Sequence, residues 1–224
     1  MIPSLMTGTF DLTSFIVSLL LSMPIALLAL SVHETAHGFV AYKLGDPTAY
    51  NFGRLSLNPL KHVDPIGFGC MVLFGFGWAK PVPVDTRYFK KPKRDMALTG
   101  AAGPISNLLL ALLFAVLLRV ELEIAMRTSV GAFASQALWW LQIFLIKGIQ
   151  LNIGLAVFNL IPVPPFDGSR IFLTLLPTNL YFKIMKYEKY LYIVLMIALL
   201  VGLLDRPLDL VSDWFMNIIL GIAF

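Results

Sequence analysis

Long uncharged stretches alternate with short charged ones along the chain. Four stretches contain 19 to 23 consecutive residues without Asp, Glu, Lys or Arg. They cover residues 12–32, 96–118, 128–146 and 148–166. An α-helix needs about 20 apolar residues to cross the roughly 30 Å hydrocarbon layer of a bilayer. The pattern predicts a polytopic α-helical membrane protein with one integral-membrane domain over residues 1–224.

Composition supports the membrane class and narrows the chemistry. Hydrophobic residues make up 58% of the chain, charged residues 13%, and the mean hydropathy is +0.81. The first uncharged stretch lacks the basic segment of a secretory signal, so it is predicted to be a retained span. The single cysteine, Cys70, excludes an internal disulfide and a metal site built from cysteines. Residues 190–204 are short for a span, and 207–224 fit a span, a partial insertion or an interfacial helix.

Basic residues are concentrated in one segment, which predicts the orientation. Nine of the 17 Lys and Arg residues lie between residues 43 and 94, a clustering typical of a cytoplasmic loop. We therefore expect a multi-pass protein of the cell membrane with its N-terminus outside. The net charge of +4 does not indicate nucleic-acid binding, because its distribution follows the membrane topology. The expected partner is the lipid bilayer, and the oligomeric state stays open.

Residues 128–166 decide which side of the membrane Asp167 occupies. One crossing places Asp167 on the same side as His33 and His37, whereas two crossings separate them. A single long helix and a surface helix followed by a span, with a bend near Lys147, both give one crossing. Basic residues after Asp167 favour this single crossing.

A metal-binding motif directly extends the first uncharged stretch. Residues 33–37 read His-Glu-Thr-Ala-His, and histidines four positions apart lie on one helix face. Their imidazoles can bind one zinc ion while Glu34, offset around the helix, acts on a water molecule. Ionisable side chains at membrane depth are costly and usually functional, which favours this interpretation over ordinary polar residues at a helix end.

A zinc peptidase needs a third protein ligand and an open position for water. Position 43, where one familiar motif has its third histidine, is Lys43, and no glutamate follows Glu34 before Glu121. Candidates for the third ligand are Asp46, His62, Asp64 and Asp167. Asp167 has the most favourable context, because it follows an apolar stretch and a proline-rich segment whose irregular backbone suits a wet cavity. For His62 and Asp64, which lie in a turn-rich loop, turn and cap roles are favoured over metal binding.

The chain resembles the site-2 protease family of intramembrane metalloproteases over most of its length. The matching segments, in the family's order, are HETAH at 33–37, RLSLNP at 54–59, HVDP at 62–65, GWAKP at 77–81, GPISN at 103–107 and NLIPVPPFDG at 159–168. The resemblance implies a three-helix catalytic core, with additional helices, and one Zn²⁺ per chain held by His33, His37 and Asp167. It also implies Glu34 as the general base and Asn159 as support for the substrate or the oxyanion. A regulatory domain appended within this chain is not expected.

Residues 67–85 are apolar but too short and too rich in glycine for a spanning helix. By resemblance, this segment is a short membrane-re-entrant β element near the active site. A strand edge there could pair with an extended substrate backbone, with Phe74, Gly75, Phe76 and Gly77 as the substrate clamp. The alternative is a hydrophobic plug that packs on the spans.

The predicted function is peptide-bond hydrolysis in or near transmembrane segments, at the cytoplasmic side of the bilayer. The expected substrates are transmembrane proteins. Two alternatives are an inactive metal-binding membrane scaffold and an ion transporter. Glu34 argues against the scaffold, and the few polar residues of the second uncharged stretch argue against an ion path.

Overall fold

A computed structural model of the protein describes residues 11–74, 77–128, 131–177, 180, 183–184 and 186–224. Its helices are α1 (Leu12–Lys43), α2 (Thr48–Asn51), α3 (Pro65–Phe74), α4 (Pro92–Arg127), α5 (Ala132–Asn159), α6 (Asp167–Phe172), α7 (Glu188–Leu200) and α8 (Asp205–Ala223). Short 3₁₀ turns cover Pro59–Lys61, Thr86–Tyr88 and Leu173–Leu175. The described residues are mostly helical, as the sequence predicts.

Local signals set the ends of the long helices. The Asp11 carboxylate accepts hydrogen bonds from the backbone N–H groups of Thr13 and Ser14, and so caps the start of α1. Gly45, with a φ of 110°, lies just beyond the end of α1, where the backbone conformation favours glycine. Pro92 opens α4 at a position where a helix has no use for the missing N–H.

Three long helices, α1, α4 and α5, pack against one another in pairs. The apolar core lies mainly between α4 and α5 and includes Phe114, Leu118, Leu145 and Ile149. Gly148 of α5 permits close approach, since a Cβ there would lie 2.7 Å from the Phe114 ring. Residues 132–159 form one continuous helix. This matches the predicted long helix and not the surface helix followed by a separate span.

Two helices, α1 and α5, are long and apolar enough to cross a membrane. Helix α7 has 13 residues, which gives a length of about 20 Å at 1.5 Å per residue. That length is too short for a complete span. Helix α8 packs against the α4–α5 core through a face that includes Ile219 and Phe215.

The predicted β element is wrong for residues 67–74, which belong to helix α3. The Asp64 carboxylate accepts hydrogen bonds from the N–H groups of Ile66 and Gly67, at 3.0 and 2.8 Å, and so caps α3. This cap and Pro65 at the first helical position offset the poor helix propensity of the glycines. Extended pairing in this part of the described chain is limited to an isolated antiparallel bridge between Val63 and Ala79. Gly75 and Phe76 lie outside the described residues.

Candidate metal centre

Helix α1 brings the two histidines of the motif together. His33 and His37 lie one turn apart and are both buried, with 4% and 5% of their surface exposed. Their Nε2 atoms are 3.0 Å apart. Glu34 is offset around the same helix and is half-buried. The sequence prediction of a shared histidine face therefore agrees with the structure.

Asp167 joins the histidine pair from the other end of the chain. Its Oδ2 atom lies 3.0 Å from Nε2 of His33 and 3.1 Å from Nε2 of His37. Gly168 allows this placement, because a Cβ there would lie 2.2 Å from the Leu160 carbonyl oxygen. The Asp-Gly pair thus packs directly on the chain that leaves α5. Among the candidates for the third ligand, the structure brings Asp167 to the histidines.

The outward-facing ring nitrogens define the chemistry of the donor set. Nδ1 of His37 donates to the Thr99 carbonyl oxygen at 2.7 Å, and Nδ1 of His33 donates to Oδ1 of Asn107 at 3.1 Å. Each imidazole therefore carries its proton on Nδ1 and presents a lone pair at Nε2. Two such lone pairs and a carboxylate oxygen converge on one point. Three acceptors in contact repel one another unless a cation lies between them.

The spacing of these atoms fits a zinc ion. Tetrahedral ligands about 2.0–2.1 Å from one ion lie about 3.3 Å from each other. The three donor atoms are 3.0–3.1 Å apart, close to that separation.

Helix α4 supplies the groups that lie behind the ligands. A Cβ on Gly103 would lie 2.5 Å from the rings of both His33 and His37, so only glycine permits this approach. Asn107 is fully buried and, with Thr99, fixes the histidine tautomers. The GPISN motif was a signal for Gly103 and Asn107. The role of the Thr99 carbonyl had no signal in the sequence, since every residue carries a carbonyl group.

Glu34 has a backbone partner that the sequence did not reveal. Its Oε2 atom accepts a hydrogen bond from the Val82 N–H at 2.8 Å. Val82 stands between Pro81 and Pro83, which have no N–H, so its N–H is the single backbone donor of this tripeptide. The Arg54 guanidinium anchors the same segment by donating to the carbonyl oxygens of Lys80 and Pro81. Residues 80–82 therefore hold the Glu34 carboxylate in one position.

The other candidates for the third metal ligand form hydrogen bonds within loops and turns. Asp46 accepts from the N–H groups of Thr48 and Asp85, at 2.9 and 2.8 Å. Nε2 of His62 donates to the Ser56 carbonyl oxygen at 2.6 Å. That carbonyl also accepts from the hydroxyl of Thr35, so the loop is tied to α1. With Asp64 capping α3, these residues have turn and cap roles.

Asn159 and the predicted clamp are less closely tied to the centre. The Asn159 amide donates to the Leu155 carbonyl oxygen one turn earlier, at 2.9 Å. Phe74 is the last residue of α3, and Gly77 is exposed. The oxyanion role of Asn159 and the clamp role of residues 74–77 stay predictions.

A buried His-His-Asp donor set with an adjacent glutamate defines a metal centre of the kind used by HExxH metallopeptidases. The chain belongs to peptidase family M50, the site-2 protease family, whose profile matches residues 22–203. It is 42% identical over 177 residues to the Bacillus subtilis protein named "Putative zinc metalloprotease YwhC", with 76% of each chain covered.

More distant relatives carry similar names. The chain is 32% identical over 148 residues to "Putative zinc metalloprotease Rip2" of Mycolicibacterium smegmatis, and the match covers 63% of this chain and 52% of that protein. It is 29% identical over 139 residues to "Putative zinc metalloprotease MJ0611" of Methanocaldococcus jannaschii, with 62% of each chain covered. No solved structure matches this chain.

Proposed function

We propose that this protein is an intramembrane zinc metalloprotease that hydrolyses peptide bonds in or near the transmembrane segments of other proteins. The observation that carries the proposal is the convergence of three acceptor atoms, from His33, His37 and Asp167, beside the carboxylate of Glu34. Membership of peptidase family M50 and the names of the relatives support zinc as the metal. One Zn²⁺ per chain is the expected stoichiometry.

The residues divide the chemistry between them. A zinc ion held by the three ligands would lower the pKa of a bound water to about 7 and polarise the scissile carbonyl. The Glu34 carboxylate accepts the proton of the attacking water and returns it to the leaving amine nitrogen. The Val82 N–H holds that carboxylate in place during both transfers. Asn159 is assigned to the oxyanion or to the substrate backbone.

The proposed site of action is the cytoplasmic side of a cell membrane. His33 lies 21 residues beyond Leu12, which is about 32 Å along α1 and close to the thickness of the hydrocarbon layer. The basic segment 43–94 follows directly, which supports a multi-pass chain with its N-terminus outside.

The decisive experiment replaces the proposed base and keeps the metal ligands. Glu34→Gln in the purified protein is expected to lower cleavage of a model transmembrane substrate by about 100-fold or more, since general-base catalysis contributes about 10²–10⁴-fold. Zinc content by elemental analysis should stay near one per chain. A variant that cleaves at the wild-type rate would overturn the proposal, and so would wild-type protein purified with zinc that cleaves no membrane substrate.

A further inference from the structure

A groove with a strongly basic lining lies along residues 80–83, the segment whose Val82 N–H binds the Glu34 carboxylate. It has a volume of about 580 Å³ and runs between the loop that follows α2 and residues 80–83. Its lining includes three basic residues, Arg54, Lys61 and Lys80, together with the apolar side chains of Phe52 and Leu60. We call this feature the basic groove.

The positive charge of the basic groove is not neutralised by the protein. No acidic residue lines the groove, and Arg54, Lys61 and Lys80 form no ion pair within the described part of the chain. The nearby carboxylates are engaged elsewhere. Asp64 caps α3, and Asp85 pairs with Arg87 at 2.6 Å. An anion entering the groove would therefore meet uncompensated positive charge.

Donor groups at the floor and wall of the groove are positioned but not saturated. Arg54 is buried, with 8% of its surface exposed, and its Nε has no hydrogen-bond partner among the described residues. Its NH2 group holds the Lys80 and Pro81 carbonyl oxygens, which fixes the guanidinium in place. The Lys61 ammonium donates to the Gly53 carbonyl oxygen at 2.9 Å and retains two further hydrogens.

The apolar side chains beside this charge point to an amphiphilic anion. Leu60 is 83% exposed and Phe52 is 72% exposed, although both flank the basic residues. Leu57 and Ile66, which are near Leu60 in the sequence, are also exposed. A free phosphate or a nucleic acid would leave these side chains in water, whereas a lipid would cover them with acyl chain.

We propose that the basic groove binds the phosphate headgroup of an anionic phospholipid, with the acyl chains lying against Phe52 and Leu60. Arg54, Lys61 and Lys80 contact the phosphate by charge-assisted hydrogen bonds. Basic pockets of membrane proteins at the cytoplasmic leaflet bind anionic headgroups in this way. None of the three proposed metal ligands lines the groove, and its occupancy is measurable without peptidase activity.

The test compares lipid binding by two charge-matched double variants. Purified full-length protein in detergent is titrated with phosphatidylglycerol or phosphatidylcholine, and bound lipid is counted by native mass spectrometry. The groove variant is Lys61→Gln with Lys80→Gln. The control is Lys90→Gln with Lys91→Gln, which removes the same charge from exposed positions outside the groove lining. Circular dichroism and gel filtration confirm that both variants keep the wild-type fold.

The expected result is specific to one lipid and one variant. Each basic group near an anionic headgroup contributes about fivefold in affinity, so the groove variant should bind phosphatidylglycerol about 30-fold more weakly. The control should bind within about twofold of wild type, and phosphatidylcholine binding should not change. Equal losses in both variants would overturn the proposal, because general surface charge would then explain the binding. Displacement of phosphatidylglycerol by equimolar inorganic phosphate would also overturn it, in favour of a free-anion site.

Discussion

At the scale of single residues, Asp167 and His62 show how similar burial serves different purposes. Both side chains are almost inaccessible, with 7% and 1% of the residue surface exposed. The Asp167 carboxylate faces two imidazole lone pairs, whereas the His62 ring donates to a loop carbonyl. One arrangement requires a cation and the other is an ordinary hydrogen bond. This difference separates a ligand from a structural residue.

Exchange of these two residues for alanine should therefore have different effects on the metal. Asp167→Ala leaves two protein ligands and should weaken zinc affinity by more than about 100-fold, since loss of a group behind a ligand already costs about 10–100-fold. His62→Ala should keep zinc and lose stability, because the Ser56 carbonyl loses a donor. Zinc titration with a competing chelator measures both. The assignment of the third ligand fails if the His62 variant is the one that loses its metal.

Sequence predicts the side-chain ligands well and the backbone partners poorly. A spacing of four residues on a helix fixes His33 against His37 wherever the helix lies. Thr99 acts through its backbone carbonyl, which every residue has, and Val82 acts through its backbone N–H, which every residue except proline has. Their role depends on how helices and loops meet, and this is set by packing over long sequence separations.

At the scale of elements, the contact between α1 and α4 depends on one missing side chain. Gly103 faces both metal-binding histidines, and a methyl group there would overlap rings that are themselves buried. Buried rings held by Thr99 and Asn107 cannot move aside. The close approach of α4 to α1 at Gly103 therefore determines both the packing of this helix pair and the geometry of the metal centre.

Gly103→Ala is expected to abolish zinc binding and activity, although alanine is the better helix former. The matched control is Gly154→Ala in α5, where a Cβ meets nothing within 4 Å. That control should keep zinc and gain up to about 1 kcal/mol of stability. Elemental analysis and thermal unfolding of both variants distinguish the two effects. Equal zinc contents would show that α4 can shift away from α1 at little cost.

The segment around Val82 offers a second test at this scale. Val82→Pro removes the N–H that Glu34 accepts, whereas Val82→Ala keeps it and removes only side-chain contacts. We expect kcat of the proline variant to fall by up to about 100-fold relative to the alanine variant, because small misplacements of a reacting group have effects of this size. Zinc content should be the same in both. Similar kcat values would mean that Glu34 is oriented without this hydrogen bond.

The region that follows HVDP shows where element prediction failed. The glycines between residues 67 and 77 suggested extended backbone, yet residues 65–74 are helical. A carboxylate cap at Asp64 and a proline at the first position start a helix strongly enough to overcome weak propensity. Both helix-start signals are present in the sequence, whereas the predicted β element rested on the resemblance to the family.

At the scale of the whole molecule, sidedness follows from the metal centre. Asp167 contacts His33 and His37, so in the proposed topology the chain between them returns to the side of the membrane where it started. Helices α4 and α5 supply the outward and return paths in the proposed topology. The basic residues after Asp167 favoured this single return from sequence. Which face is cytoplasmic rests on the basic segment 43–94.

Cysteine labelling tests that orientation. In a Cys70→Ser background, which removes the native cysteine, Lys91→Cys and Lys186→Cys are introduced singly. Both should react with an impermeant maleimide only after the inner face of the membrane is exposed, because both positions belong to proposed cytoplasmic segments. Labelling of both from outside would invert the orientation, and labelling from opposite faces would contradict the shared metal centre.

The separation of the ligands along the chain has a consequence for biosynthesis. His37 and Asp167 are 130 residues apart. When the first helix has been synthesised, only part of the metal site therefore exists. At about 5–20 residues per second, synthesis of the intervening chain takes about 6–26 seconds. During that interval the nascent protein has a base and two ligands but no third ligand. With the proposed function, the protein is inactive until Asp167 has been synthesised, and so it cannot cleave membrane helices while α1, α4 and α5 are being inserted.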